Sequence, residues 1–144
     1  MSAMTDYLEN KLVDHILRAT PYTAPASLWV ALFTTSTTDA GGGTEVAGGA
    51  YARVQCGPSL TAWKGTHGNT SGASSGTGGV SQNAAAISFP TPTADWGSIG
   101  WYAIFDASSG GNMLIQGPLQ APKTVNLGDP SPSFLADQLI LTFA

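Results

Sequence analysis

Few side chains in this chain are equipped for chemistry. A hydrolytic nucleophile, whether a serine or the single Cys56, needs a base within hydrogen-bond reach, and only His15 and His67 are available to serve. His15 falls on the flank of a short amphipathic segment and His67 inside a glycine-rich stretch. Neither position promises the rigid, concave setting that preorganised catalysis requires. One Cys and two distant His cannot assemble a zinc site, and no calcium loop of alternating carboxylates occurs. Asp95, Asp106 and Glu45 could be imagined as a glycosidase pair, but their turn-like contexts predict carboxylates that bond backbone instead. Gly41-Gly42-Gly43-Thr44 lacks the Lys and the following helix of a phosphate loop and reads as a tight loop. Asn69-Thr70-Ser71 matches a glycosylation acceptor, which carries no weight without a secretory signal. The expectation is a protein that is not an enzyme and holds no cofactor and no metal.

Composition turns this absence into a positive reading. Only 10% of residues are charged, against about 25% in an ordinary soluble domain. A freely diffusing monomer covers itself with charge, so an exterior built from Gly, Ser, Thr and Asn is expected to be covered in part by other subunits. The net charge of −4, with Lys11, Arg18, Arg53, Lys64 and Lys123 scattered, argues against nucleic acid. At 144 residues with 42% hydrophobic content, the chain can bury a core as one domain over 1–144 without disulfides. Cys56 follows a strand-like Arg53-Val54-Gln55 and is expected as a buried free thiol. No apolar run approaches the ~20 residues that span a bilayer. The start Met1-Ser2-Ala3-Met4-Thr5-Asp6 has no signal-peptide character. Synthesis and retention in a cytoplasm until assembly follow as the expectation.

The elements that must position these residues are mostly strands. Thr5 to Arg18 is the one helix, with Thr5 as N-cap, Asp6 and Glu9 in the first turn, Arg18 in the last, and Pro21 as the stop. Leu8, Leu12, Val13, Ile16 and Leu17 make one apolar stripe, which packs either on its own domain or on a neighbouring subunit. In Ser27–Thr34 both alternating sets are apolar, Leu28, Val30 and Leu32 against Trp29, Ala31 and Phe33. Such a strand is covered on both faces, by two layers of one domain or by a domain and its partner. A short strand follows near Tyr51 to Cys56. Ser98–Phe105 and Asn112–Gln116 read as a hairpin closed by Asp106-Ala107-Ser108-Ser109-Gly110-Gly111, and Gly117-Pro118 as punctuation after it. Gln138–Phe143 is the last strand, with Leu139, Leu141 and Phe143 on one side. About seven strands and one helix predict a mainly β fold, a small antiparallel β-sandwich with one N-terminal amphipathic helix. Residues 65–79 hold six glycines and no charge, so they are expected outside the core as a flexible loop or as an arm that orders on a neighbour.

Trp63, Trp96 and Trp101 could form a sugar-stacking platform, although aromatics in a β-rich chain more often serve core or interface. Candidate interface residues are Leu8, Leu12, Ile16, Trp29, Phe33, Trp63, Trp96 and Trp101.

The series Asp6-Tyr7-Leu8-Glu9-Asn10-Lys11-Leu12, Tyr22-Thr23-Ala24-Pro25, Leu28 to Thr34, Thr38 to Val46 and Gly49-Ala50-Tyr51-Ala52-Arg53 resembles a family of small virion proteins of tailed bacteriophages. Trp96-Gly97, Ile104 to Ala107, Gly111 to Leu114, Lys123-Thr124-Val125 and Gly128-Asp129 continue the resemblance across nearly the whole chain, with Cys56–Ser81 departing from the shorter form. Members are often labelled tail fibre proteins, and similar small β proteins act as capsid cement. The resemblance implies a virion structural protein, made in the host bacterial cytoplasm and bound to the major capsid protein or to tail proteins. A lone sandwich reaches only a few nanometres and has no repeat to supply length. The reading that follows is a capsid decoration protein, trimeric, over coat-protein junctions. The alternative is a tail-fibre or baseplate-associated subunit that attaches to the host, with glycan binding through its aromatics.

Overall fold

The doubly apolar stretch around Trp29 becomes the middle of a sheet. The computed structural model describes residues 3–143, so Met1 and Ser2 of the N-terminal reading, and the side chain of His67, lie outside the described residues. In chain order the elements are β1 (Ala3–Met4), α1 (Asp6–Leu17), β2 (Trp29–Phe33), β3 (Val54–Gln55), β4 (Trp63–Lys64), β5 (Val80–Asn83), β6 (Ile87–Ser88), β7 (Gly97–Phe105), β8 (Met113–Val125), β9 (Ser133–Phe134) and β10 (Ile140–Thr142). The main sheet has the order β1-β8-β7-β2-β3, all antiparallel where paired. Smaller sheets, β10-β5-β4 and β6-β9, form the second layer. Several strands are only two residues long, which is why the structure divides into more strands than periodicity suggests.

Alternation on β2 and β7 decides which face meets which layer. Val30, Leu32, Tyr102 and Ile104 point inward and join Ile87, Phe89, Leu139 and Leu141 of the second layer in one buried cluster. Phe134 bridges the layers, its ring 6.4 Å from both Phe89 and Tyr102. The result is the expected mainly β antiparallel sandwich, with one short helix at its N-terminal side. In the last strand Leu139 and Leu141 are buried as expected, while Phe143, past the strand end, is exposed.

Asn83 ties the second layer together from a fully buried position. Its Nδ2 donates to the carbonyls of Ala85 and Leu135, each at 2.8 Å, and its Oδ1 accepts from the Leu139 amide at 2.8 Å. Three backbone groups, two carbonyls and one amide, are thus held by one buried side chain whose own polar atoms are satisfied in turn.

Four local expectations are corrected. Thr5 occupies the N-cap position, but its hydroxyl donates to the carbonyls of Met113 and Leu114 on β8 and makes no cap bond. The helix itself ends at Leu17, with Arg18 as C-cap and Ala19 in the left-handed region at φ +52°. Gly117-Pro118 does not end the hairpin strand: β8 runs on to Val125. Pro118 is tolerated because β1 covers only Ile115 and Gln116 on that edge. The pairing then slips, from Trp101 opposite Pro118 to Ile99 opposite Lys123, so that Gly100 alone faces residues 119–122. The stretch 65–79 is not wholly outside the packed structure. Thr66 is buried within a short 3-10 turn, Thr66–Gly68, and Gly65 bridges to Asn69, while residues 70–79 are exposed. Polar side chains fold this loop on itself, Asn69 reaching the carbonyl of Ala73 and Ser74 Oγ accepting the Thr66 amide.

Asn83→Ala should destabilise the domain by about 3 kcal/mol, since it empties a fully buried position and removes the side chain that holds two carbonyls and the buried Leu139 amide. Chemical denaturation of the variant beside the parent measures this.

Candidate functional site

The outer face of the main sheet is covered by the chain itself. Pairing sets Trp29 opposite Phe105, Ala31 opposite Ala103 and Phe33 opposite Trp101. Two alanines thus lie in the middle of a face with an aromatic at each corner. Over that shallow centre Phe33 and Phe105 stack diagonally, ring centroids 6.3 Å apart and 10° from parallel. The guanidinium of Arg53 lies 3.6 Å from the Phe105 ring centroid. Ala31 and Ala103 become fully inaccessible. Gly43 packs against the same face, where a Cβ would come within 3.0 Å of the Phe33 ring.

Arg53 is the polar centre of this face. Its Nε and Nη2 donate to the two carboxylate oxygens of Glu45, each at 2.8 Å. Its Nη1 donates to the carbonyls of Ala107 at 3.0 Å and Gly110 at 2.8 Å in the hairpin loop. Glu45 also accepts from the Tyr51 hydroxyl at 3.0 Å, and that oxygen accepts the Leu32 amide at 2.9 Å. Burial together with the neighbouring Glu45 carboxylate pushes the Tyr51 phenol far above its ordinary value. This arrangement binds three loops together.

Asp106, Asp95 and His15 also hold backbone groups. Asp106 holds the hairpin turn, one carboxylate oxygen accepting the Asn112 amide and the other its Nδ2, both at 2.7 Å. Asp95 accepts the Leu127 amide at 2.8 Å. Both behave as backbone-bonding turn carboxylates, whereas Glu45 departs from that expectation and binds Arg53. His15 Nδ1 accepts the Tyr22 amide at 3.1 Å. Cys56 is a buried free thiol, and burial pushes its pKa up to about 11. The Gly41 to Gly43 run is a tight loop, closed by the Gly41 amide on the Thr38 carbonyl at 2.9 Å.

The candidate interface residues do not gather into one site. Leu8, Phe33 and Trp96 are buried within the chain, Trp96 against the Tyr51 ring at 5.4 Å with its indole N–H on the Gly49 carbonyl. Leu12 is half-buried against the core. Trp29 and Trp101 are half-buried at opposite corners of the outer face, and Trp63, its N–H on the Cys56 carbonyl, lies on the second layer. The three tryptophans of the imagined sugar platform are therefore separate. What remains outward is the later part of the helix stripe: Ile16 is 71% exposed, Leu17 77% and Val13 48%. Leu60, Leu127 and Leu135 are further exposed apolar residues that the sequence reading passed over, and Ile140 and Phe143 of the last strand are exposed with them. They fall on short strands and loop ends where no period long enough to mark a face exists.

The described residues form a β-sandwich whose engaged polar groups hold its own loops and whose helix presents exposed apolar side chains, the make-up of a structural protein. Consistent with this, the family model described as Podophage GP4 fiber I protein gp80 matches residues 3–142, and the chain belongs to that family. It is a fibre-type structural component of a phage virion, made in the host cytoplasm before assembly. No curated protein matches the chain. Among the described residues, no helix is long and apolar enough to cross a membrane.

Arg53→Lys should destabilise the fold by about 2 to 4 kcal/mol despite keeping the charge, because one ammonium cannot hold the Glu45 carboxylate, two carbonyls and the Phe105 face together. Thermal unfolding of the two proteins tests it. Cys56 should resist modification by a thiol reagent at pH 8 in the folded state and react readily once unfolded. Because its pKa is raised on folding, stability should fall as pH climbs from about 9 toward 11, where the unfolded thiol ionises first. Cys56→Ala should abolish that part of the alkaline loss.

Proposed function

We propose that the chain is a tail-fibre subunit that works by binding, associates with copies of itself and with tail proteins of the same virion, and carries out no catalysis. The observation that carries this reading is the match of the fibre family across residues 3–142. The geometry supports binding over catalysis: carboxylates, the Arg53 guanidinium and His15 Nδ1 are engaged in holding loops, whereas large apolar side chains on α1 face outward. Exposed apolar area of this kind stabilises an assembly when it is withdrawn from water at a contact. Repetition of modest contacts in a symmetric particle then gives firm attachment.

The measurement that decides between tail and head is copy number. In purified particles the band of this protein should stand at a small molar fraction of the major coat protein. Particles lacking it should keep heads of unchanged heat resistance and lose adsorption to the host. A band comparable in amount to the coat protein, with heads that open at lower temperature in its absence, would establish head decoration and overturn the proposal.

A further inference from the structure

Two surfaces beside β8, one at its start and one along its later part, are left open, and they complement one another. The first is the exposed face of α1. Its C-terminal half presents Val13, Ile16 and Leu17, and on the same side of the helical wheel the N-terminal half carries Asp6 and Glu9. The helix is anchored at the start of β8, where Met4 pairs with Ile115 and the Thr5 amide donates to the Leu114 carbonyl at 3.0 Å. The second surface is an open groove of about 690 Å³ between the later part of β8 and β10, with Pro118, Leu119, Phe134 and Ile140 as its apolar wall and Lys123 and Asp137 as its charged groups, the Asp137 carboxylate already held by Lys64. Ile140 is 46% exposed there. Because the helix meets β8 near Leu114 and the groove begins at Pro118, one copy can engage a neighbour through each surface at once.

The groove is shaped for side chains and not for an added strand. Pro118 and Pro122 have no amide hydrogen to offer along that edge, and the slip that sets Gly100 against residues 119–122 breaks the ladder a strand would need. An amphipathic helix lying in an apolar groove makes no such demand. α1 is the one α-helix among the described residues. Charge selects the same occupant. A chain of net charge −4 repels its copies unless cation and anion are matched at the contact. Lys123 lines the groove and makes no ion pair among the described residues, unlike Lys64, which holds Asp137 at 2.6 Å, and Arg53, which holds Glu45. The acidic half of the helix face supplies its counter-charge.

We propose that α1 of one copy docks in the β8–β10 groove of a second copy, with Ile16 and Leu17 against Leu119, Phe134 and Ile140, and Glu9 toward Lys123. The contact is heterologous, so repetition closes a ring or extends a stack. The inference goes beyond the tail-fibre reading and holds wherever on the particle the subunit sits, so it is tested on the purified full chain, apart from the virion.

Sedimentation equilibrium should show concentration-dependent assembly of the parent protein that weakens with added salt. Ile16→Glu on the helix and Ile140→Glu in the groove should each weaken it by about tenfold or more, with unchanged circular dichroism. An equimolar mixture of these two variants should form a dimer that grows no further, since only one sound helix and one sound groove remain per pair. Glu9→Lys and Lys123→Glu should each weaken assembly, and the double variant should recover part of it. The proposal fails if the parent stays monomeric at every concentration. It also fails if the mixture of variants stays monomeric, or if Ile16→Glu abolishes assembly while Ile140→Glu and Lys123→Glu leave it unchanged, which is the signature of helix pairing with helix.

Discussion

The fold depends on covering the outer face of a sheet that is apolar on both sides. A second layer of strands covers the inner face, but nothing comparable exists for the outer one. There the stacked Phe33 and Phe105 rings and the Gly43 loop lie over a centre kept shallow by Ala31 and Ala103, and the Arg53 guanidinium is laid on Phe105. Arg53 suits this place because its planar face stacks on an aromatic ring while its edge donates outward in several directions. Each donation fixes a different stretch of chain, Glu45 before β3 and the carbonyls of Ala107 and Gly110 after β7. A loop-rich protein with few charges thus concentrates one buried charge where three segments meet. Since both partners in the pair are hydrogen-bonded on several sides, desolvation is offset locally.

This economy of charge shapes the surface as well. With Arg53 and Glu45 committed to the outer face and Arg18 paired with Asp14 on the helix at 3.3 Å, few charges remain to keep apolar side chains wet. The later turns of α1 consequently stand in solvent with Val13, Ile16 and Leu17 uncovered. Helix stability in water comes chiefly from packing an apolar face, and here only the first turns, through Leu8 and Leu12, gain that from the chain's own core. A helix so unevenly supported is suited to completion by a neighbour, as expected of a virion component of the fibre family.

The edges of the sheets follow the same division between closed and available surface. β1 and β3 are too short to template another chain, and β8 beyond β1 is interrupted by proline and by a slipped register. Backbone-mediated strand addition is thereby disfavoured at these edges. Contact is left to side chains, which can be matched in shape and charge and so discriminate among partners.

Periodicity and composition alone determined the mainly β class, the helix over the first turns, the two-sided strand through Trp29, the hairpin closed at Asp106 and Gly110, and the burial of Cys56. Each of these rests on neighbours in the chain: alternation, turn residues and caps act within a few residues, so sequence carries them directly. The tertiary structure decided what covers each face. Leu8 and Ile16 lie on one stripe, yet the core takes the first and leaves the second in water, because the helix is tied down only at its start, through β1 and Thr5 on β8. Arg53 reads as one of five scattered cations until pairing brings Glu45, Phe105 and the hairpin loop around it. Trp63, Trp96 and Trp101 look alike in sequence and end on separate surfaces, because short strands with slipped register carry too few residues to fix their faces locally. Where the partner of a residue is distant in the chain, only the packing of layers chooses it.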